Sequence, residues 1–186
     1  MADDSAKSRT ALVALIPAGG SIYLIEPEIA PIIPGTVVVR HAQFLQMVAT
    51  ALTEGSGRLE ALSLDDSDSE EMLALATLTE PGPFFEHTNR LGDFVGIRSG
   101  GQLIAMAGER MAMPGYTEVS AVCTHPDHRG RGYAAGLMRI VGARILARGE
   151  QPILHTYASN IGAIALYEAL GFRTRRSMML TELALA

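Results

Sequence analysis

The sequence has little of what marks a secreted, membrane-spanning or nucleic-acid-binding protein. It has one cysteine, which excludes an internal disulfide and indicates a reducing compartment. Its apolar stretches are too short, or too often interrupted by Gly, Pro and charged residues, to span a bilayer. The net charge of −5 disfavours general affinity for nucleic acid or an anionic membrane. Residues 1–10 lack the basic start and apolar run of a secretory signal. We therefore expect a cytoplasmic protein that acts on neither nucleic acid nor membrane.

The chain has enough apolar residues for a large core, because 48% of its 186 residues are hydrophobic and only 19% are charged. We divide it into an N-terminal extension over residues 1–57 and a main domain over residues 58–186. In the extension, prolines and glycines separate short apolar segments. These segments predict a pair of strands over Ala11–Ile16 and Ser21–Ile25, a strand over Thr36–Arg40, and a helix over His41–Leu52.

In the main domain, the hydrophobic periods and the turn residues predict the order β-α-α-β-β-β-α-β-α-β. The predicted strands are Arg58–Leu64, Phe94–Arg98, Leu103–Met113, Thr117–Thr124, Gln151–Tyr157 and Phe172–Leu183. The predicted helices are Met72–Leu78, Tyr133–Arg148 and Asn160–Leu170, with a short turn or helix over Phe84–Arg90. This order indicates an α/β fold with a mixed sheet and helices on both faces.

A glycine-containing loop joins a strand to a helix between Thr124 and Tyr133. Such a loop presents unpaired backbone N–H groups at a helix N-terminus, where an anion can bind. The alternative is that Gly130 and Gly132 only permit a tight turn. The loop is neither a Walker A motif nor a dinucleotide fingerprint, because no Gly-Lys-Ser/Thr follows and the glycine spacing differs. The sequence therefore predicts a phosphate or pyrophosphate site. A nucleotide-binding module is the weaker interpretation, since no magnesium-ligand motif accompanies the loop.

Two separated motifs resemble those of the GNAT superfamily of acyl-CoA-dependent N-acyltransferases. The first is the family's Arg/Gln-x-x-Gly-x-Gly/Ala signature between a strand and a helix, which Arg129, Gly132 and Ala134 match. The second begins at Ser159-Asn160 and continues through Ala165, Tyr167 and Gly171-Phe172 with the family's spacing. The resemblance covers residues 58 to 186, and the run before the loop is similar to a bacterial branch of unassigned substrate.

The resemblance implies a mostly antiparallel sheet whose strands splay where acetyl-CoA binds as co-substrate. It implies that the splayed strand lines the pantetheine arm, that the loop amides hold the pyrophosphate, and that the next helix supplies one contact. The residues so implied are Val122, Cys123, Thr124, Arg129, Gly130, Arg131, Gly132, Tyr133, Ala134, Ala135 and Asn160. For Asn160 the alternative is a plain helix N-cap, and for the two arginines it is a solvated loop position.

The resemblance also implies that Tyr167 protonates the coenzyme A thiolate as it leaves, since a phenol can donate a proton. The alternative is that its ring only packs and its hydroxyl bonds a backbone group. The base that deprotonates the acceptor amine stays open between Glu118, His155 and solvent. Strand alternation places Glu118 on one face with Ser120, Val122 and Thr124, and the ordinary pKa of a histidine suits proton transfer near neutrality.

The function that these features predict is N-acetyltransfer from acetyl-CoA directly to a primary amine of a small molecule or peptide. A non-catalytic acyl-CoA-binding or sensor protein is the alternative. Cys123, His125 and His128 are the candidate zinc ligands, but the usual distant second pair of ligands is missing and we expect no metal. We expect Cys123 to be a buried small hydrophobe rather than a nucleophile. Members of the family are often dimers, so the resemblance implies a homodimer. The acceptor is expected to contact residues 79–93 and 111–116, and the arginines at 173, 175 and 176 to form a solvated face.

Overall fold

The computed structural model describes residues 5–55 and 59–186. The strands are β1 (Ser21–Glu26), β2 (Thr36–Val48), β3 (Leu62–Leu64), β4 (Phe94–Ser99), β5 (Gln102–Met113), β6 (Tyr116–Thr124), β7 (Gln151–Tyr157) and β8 (Arg173–Leu185). The helices are α1 (Ala6–Val13), α2 (Ser69–Thr79), α3 (Tyr133–Ala147) and α4 (Ile161–Ala169). The hydrogen-bonded strand order is β1-β8-β2-β7-β6-β5-β4-β3, and the sheet is mixed and mostly antiparallel. The predicted α/β fold class, with helices on both faces of the sheet, is confirmed.

The described chain forms two compact units. The smaller contains the residues up to Gln46 together with Thr156–Ile161 and Thr174–Ala186, and the larger contains Met47–His155 and Gly162–Arg173. In the smaller unit, β1 runs antiparallel to β8 from Ser21 opposite Ala184 to Glu26 opposite Met179. The division into an N-terminal extension over residues 1–57 and a main domain over residues 58–186 stays a prediction.

The predicted strand over Ala11–Ile16 is wrong, because that segment begins inside helix α1. The Ser5 side chain caps the helix by accepting a hydrogen bond from the Ser8 amide at 3.2 Å. Ile16 then packs in an apolar cluster with Ile33 and Leu183. A serine cap followed by good helix formers therefore outweighs the apolar residues that suggested a strand.

The predicted helix over His41–Leu52 is also wrong, because β2 continues to Val48. Phe44 and Met47 are buried three residues apart, a spacing that is typical of a helix. The segment is held as a strand by pairing with its neighbour: the Ala158 amide donates to the Gln43 carbonyl at 2.9 Å, and the Ala49 amide donates to the Pro152 carbonyl at 3.0 Å. Tertiary pairing thus decides where the local pattern is ambiguous.

The short turn or helix predicted over Phe84–Arg90 is a 3₁₀ helix over Thr88–Leu91, which starts four residues later than predicted. The other predicted elements of the main domain are confirmed to within three residues at each end, apart from the first. There the strand is limited to Leu62–Leu64, and the predicted start at Arg58 lies outside the described residues.

Helix α2 follows a capping box formed by Asp65 and Asp68. The carboxylate of each residue accepts a hydrogen bond from the backbone amide of the other. The helix ends at Glu80, whose φ of 49° is left-handed, before Pro81 prevents continuation.

Strands β6 and β7 run parallel for only three residue pairs. The ladder runs from Tyr116 opposite Gln151 to Glu118 opposite Ile153, and both strands continue beyond it, to Thr124 and to Tyr157. The two strands therefore fork after Glu118, which confirms the predicted splay.

A β-bulge in β6 lies just beyond the fork. Met106 pairs with Cys123 and Gly108 pairs with Ser120, so β6 carries one extra residue, and Ala121 has a φ of 52°. Because the bulge shifts the alternation of side chains, the face of Glu118 and Ser120 continues at Ala121 and Cys123. The predicted sharing of that face with Val122 and Thr124 is wrong.

The core of the larger unit contains Gly108 against the ring of Phe94, to which it is paired across β4 and β5. A Cβ at Gly108 would overlap that ring. We expect Gly108→Ala to lower the free energy of unfolding by about 1–3 kcal/mol, as overpacking does. The matched control is Gly162→Ala in α4, where an added Cβ meets no atom within 4 Å and alanine is the better helix former. Equal thermal midpoints for the two variants would contradict the packing described here.

None of the helices in the described part of the chain has the length and apolar character needed to span a bilayer.

Candidate functional site

The glycine loop lies between the end of β6 and the first turn of α3, as predicted. His125 begins a short 3₁₀ turn over Pro126–His128, and its amide donates to the Ile104 carbonyl at 2.7 Å. Gly132 is the N-cap of α3 and contributes no side-chain cap. The first amides of the helix have no intrahelical acceptor, and the helix dipole makes that end positive. The arrangement can therefore bind an anion through backbone N–H groups.

Two glycines give the loop its shape. Gly130 and Gly132 have φ values of 75° and 76°, which side-chain-bearing residues rarely adopt. A Cβ built on either would meet no heavy atom within 4 Å. The glycines are thus needed for backbone conformation, and the space above them is open to a ligand.

The two loop arginines are exposed and hold the loop through backbone carbonyls. Arg129 donates from Nε to the Thr124 carbonyl at 3.3 Å, and Arg131 donates to the Asp127 carbonyl at 3.4 Å. Both of these hydrogen bonds are long and therefore weak. Little stabilisation of the loop would be lost if either side chain turned toward a phosphate.

Two buried polar atoms beside the loop have no hydrogen-bond partner among the described residues, Thr124 Oγ1 and His128 Nδ1. An orphaned buried polar atom costs about 1–3 kcal/mol. Thr124 is the last residue of the splayed strand, where a bound molecule would supply a partner. This position fits an acyl-CoA arm that enters the fork.

Glu118 and His155, predicted as alternative bases, are hydrogen-bonded to each other. His155 Nδ1 lies 2.8 Å from Glu118 Oε1, and their side chains are only 4% and 1% exposed. Arg110 donates to the same carboxylate, from Nε to Oε2 at 3.0 Å and from Nη2 to Oε1 at 3.3 Å. The structure thus assembles an arginine, a carboxylate and an imidazole at the fork.

The carboxyl of Glu118 is held ionised by its partners. Burial is the largest single influence and acts to raise its pKa. The hydrogen bond from His155 and the charge and hydrogen bonds of Arg110 together outweigh burial, so that the pKa lies below its ordinary value.

Sequence reasoning missed Arg110, although a signal was present. Arg110 and Glu118 lie four residues before and after Pro114, at the turn of the β5–β6 hairpin. A hairpin brings such positions into cross-strand contact. The neighbouring Glu109 forms a separate pair, because Arg148 donates to both of its carboxylate oxygens at 3.0 and 2.9 Å.

Tyr167 lies on α4 with its ring 6.4 Å from that of Phe172. Burial raises the pKa of its phenol above the ordinary value. The phenol therefore stays protonated throughout the neutral range and can serve as a proton donor.

Cys123 is buried in the core beside Met72, Leu75 and Met106. Burial raises the pKa of its thiol to about 11, although hydrogen bonds from Thr79 and the Met106 backbone act in the opposite direction. A thiol of this kind is not a nucleophile at neutral pH. Only the backbone of Cys123 is available to a ligand in the fork, and no group of three or more His, Cys, Asp and Glu side chains among the described residues is arranged to hold a metal ion.

The remaining predicted positions lie as follows. Val122 lies between the bulge and Cys123 in β6, while Tyr133, Ala134 and Ala135 form the first turn of α3. Asn160 directly precedes α4, and its amide donates to the Tyr157 carbonyl at 3.0 Å in the smaller unit. The arginines at 173, 175 and 176 are exposed, and Arg175 donates to Gln46 at 2.6 Å.

A cleft of about 430 Å³ lies elsewhere in the larger unit. It is lined by Ser63, Leu64, Asp93, Phe94, Arg144, Ala147 and Arg148. Its arginines belong to the last turn of α3 and its C-cap, at the opposite end of the helix from the glycine loop. The cleft is therefore not the site that the loop predicts.

Comparison with known proteins shows the family to which the chain belongs. The family model of the FR47-like protein matches residues 94–180. A GNAT-family protein from Novosphingobium aromaticivorans, named as an acetyltransferase, is 49% identical over 95% of this chain and 80% of its own, with a TM-score of 0.88. The chain belongs to the GNAT family of acetyltransferases, which generally uses acetyl-CoA as co-substrate.

More distant structures share the fold. A GNAT-family acetyltransferase from Colwellia psychrerythraea has a TM-score of 0.66 at 12% identity, over 97% of this chain and 74% of its own. A GCN5-related N-acetyltransferase from Kribbella flavida has a TM-score of 0.56 at 20% identity, over 81% of this chain and 60% of its own. No curated protein matches the chain.

Proposed function

We propose that the protein is an N-acetyltransferase that passes an acetyl group from acetyl-CoA directly to a primary amine. The observation that carries the proposal is the glycine loop at the positive end of α3, next to the forked strands. Phosphates bind such helix ends readily, and the fork exposes backbone groups that a pantetheine arm can pair with.

The cofactor contacts follow from this placement. Backbone amides from Gly130 to Ala135 hold the pyrophosphate, with Arg129 and Arg131 available for further phosphate contacts. Val122, Cys123 and Thr124 line the pantetheine arm, the first two through their backbones, and a backbone amide of the bulged strand polarises the thioester carbonyl. Asn160 is carried over from the family motif as a further cofactor contact.

The reaction is a direct transfer. The amine nitrogen attacks the thioester carbonyl, the carbon–sulfur bond breaks, and the leaving thiolate takes a proton from the phenol of Tyr167. The acceptor is the primary amine of a small molecule or peptide, and it is bound by the segments at 79–93 and 111–116. The acidic balance of the chain favours a cationic acceptor. We propose that the protein acts in the cytoplasm without a metal ion, and that a homodimer is the assembly to look for.

The proposal is tested by calorimetric titration of the protein with acetyl-CoA, with ATP as the second titrant. We expect micromolar acetyl-CoA binding and little or no binding of ATP, followed by acetylation of at least one member of a panel of primary amines. Tight ATP binding in competition with acetyl-CoA would support a nucleotide-binding module instead. Binding without turnover of any amine would support a non-catalytic acyl-CoA-binding protein.

A further inference from the structure

Strand β2 has an unpaired edge in its first half. The sheet places β2 between β8 and β7. The end of β7 lies beside the middle of β2, where the Ala158 amide donates to the Gln43 carbonyl at 2.9 Å. The rings of Tyr157 and Phe44 are 4.5 Å apart at the same place. Strand β7 ends there, so the segment Thr36–His41 extends past it, and we call this segment the open edge.

One side of the open edge is held by β8. Arg40 Nε lies 2.7 Å from Glu182 Oε2, and His41 Nδ1 lies 3.0 Å from Thr181 Oγ1. On the other side, no backbone group of the described turns and loops is hydrogen-bonded to residues 37–40. The backbone N–H and C=O groups that point away from β8 are therefore open to a further strand.

The open edge is apolar as well as unpaired. Val37, Val38 and Val39 are exposed by 47%, 45% and 55%. Because β-branched residues favour strands, the segment presents an extended backbone to any partner. Native sheets normally protect such an edge with lysine, proline or a short strand. The two outer strands of this sheet are less open, since β3 has three residues and all six residues of β1 are half-buried.

A second copy of the chain fits this edge in one register. In an antiparallel pair, residues that lie opposite each other point to the same face of the sheet. A two-fold axis perpendicular to the sheet therefore lies between one residue and its own copy. When that residue is Val38, Val37 faces Val39 of the second copy, and every valine meets a valine. Any other central valine would set a valine against Gly35 or Arg40.

The charges are compatible with this register. Arg40 carries the charge of the open edge and lies opposite Thr36 of the second copy, not opposite its own copy. The two arginines are four residues apart along the strands, about 13 Å at ~3.3 Å per residue. That separation exceeds the screening length of about 8 Å at physiological ionic strength. Each guanidinium is also paired with Glu182 of its own copy, so like charges do not oppose the pairing.

We propose that two copies of the chain associate through their open edges, with Val38 at the two-fold axis, to form one continuous sheet. The proposal rests on the homodimer proposed above and gives it a surface, and it is independent of acetyl transfer. Main-chain hydrogen bonds supply the affinity of such strand addition, and the facing valines supply its specificity. Two six-residue segments bury less than the about 1,200–2,000 Å² of a standard interface. We therefore expect dissociation in the micromolar range.

Association is tested by sedimentation velocity over a series of protein concentrations, without substrate. We expect the wild type to pass from monomer to dimer within the micromolar range. The double variant Val37→Lys with Val39→Lys sets lysines around the axis and should stay monomeric. The matched control is Leu62→Lys on the outer strand β3, where the side chain is 53% exposed, and it should dimerise like the wild type. All three positions are half-exposed in the single chain, so the variants keep the core.

The register is tested by cysteine substitution and mild oxidation. Val38→Cys should form a disulfide-linked dimer, because opposite Cα atoms of an antiparallel pair are about 4.5–5.5 Å apart, within the span of a disulfide. Val37→Cys and Val39→Cys should each cross-link poorly alone but readily when mixed, since these positions face each other only between copies. The native Cys123 is buried, and Leu62→Cys is the control for random collision.

A wild type that stays monomeric would overturn the proposal and leave the open edge to an occupant of another kind. A double lysine variant that dimerises like the wild type would place the interface elsewhere and overturn it too. Val38→Cys that cross-links no faster than Leu62→Cys would contradict the register. If dimers form but no amine is acetylated, the proposed acetyl transfer fails and the interface stands. If a protein that is monomeric throughout acetylates amines, only this inference fails.

Discussion

Replacing Tyr167 with phenylalanine should lower kcat by about 100-fold to 10,000-fold, the usual range for loss of a general acid. The affinity for acetyl-CoA should change little, because the ring and its contact with Phe172 are retained. In the proposed mechanism, the coenzyme A thiolate would have to leave as an anion in a partly buried site if the phenol were absent, which is costly. The measurements are steady-state kinetics with the acceptor amine and calorimetric titration with acetyl-CoA.

The pKa of the Tyr167 phenol also predicts how activity depends on pH. Because burial raises the pKa of Tyr167 above the ordinary value of about 10, the group stays protonated at lower pH. Loss of its proton should therefore not limit activity anywhere below pH ~10. Tyr23→Phe in the smaller unit is the control, and it should retain the wild-type kcat. Wild-type turnover in Tyr167→Phe would remove the tyrosine from the mechanism.

Replacing Gly132 with alanine should weaken acetyl-CoA binding by about tenfold or more, the equivalent of about 1.4 kcal/mol. The left-handed φ of 76° strains any side-chain-bearing residue, and relief of that strain turns the amides that we propose face the pyrophosphate. An added side chain would also enter the open space above the loop.

The matched control is Gly149→Ala, just beyond the other end of α3. Gly149 has a φ of 78° and equally open surroundings, so the two variants carry the same backbone strain. Both should lose about 1 kcal/mol of stability, but only Gly132→Ala should lose cofactor affinity. An equal loss of binding in both variants would mean that the loop acts through stability alone.

Much of the larger unit could be predicted because its signals are local. The glycine–glycine turn after Ser99, the capping carboxylates at Asp65 and Asp68, and the glycines that end α3 and α4 each fix a boundary by backbone chemistry. The loop at Gly130 and Gly132 was visible for the same reason, since only glycine adopts the required φ without strain.

What could not be predicted depends on contacts between distant residues. Strand β2 is a strand because it pairs with its neighbours, and its own pattern of Phe44 and Met47 suits a helix. The bulge at Ala121 has no sequence signal, because alanine has no preference for a left-handed φ. Because of that bulge, Glu118 shares its face of the sheet with Ala121 and Cys123 rather than with Val122 and Thr124. The contact between Glu118 and His155 depends on the register of β6 and β7, which the sequence of neither strand specifies.

The most direct test of the account is one reaction of the wild-type protein with acetyl-CoA and a primary amine, followed by two readouts. Thiol release measures cleavage of the thioester, and mass spectrometry of the amine measures amide formation. The account predicts equal amounts of thiol and acetylated amine, with no thiol released when the amine is omitted. Thiol release without amide, or no thiol release from protein that binds acetyl-CoA, would contradict it.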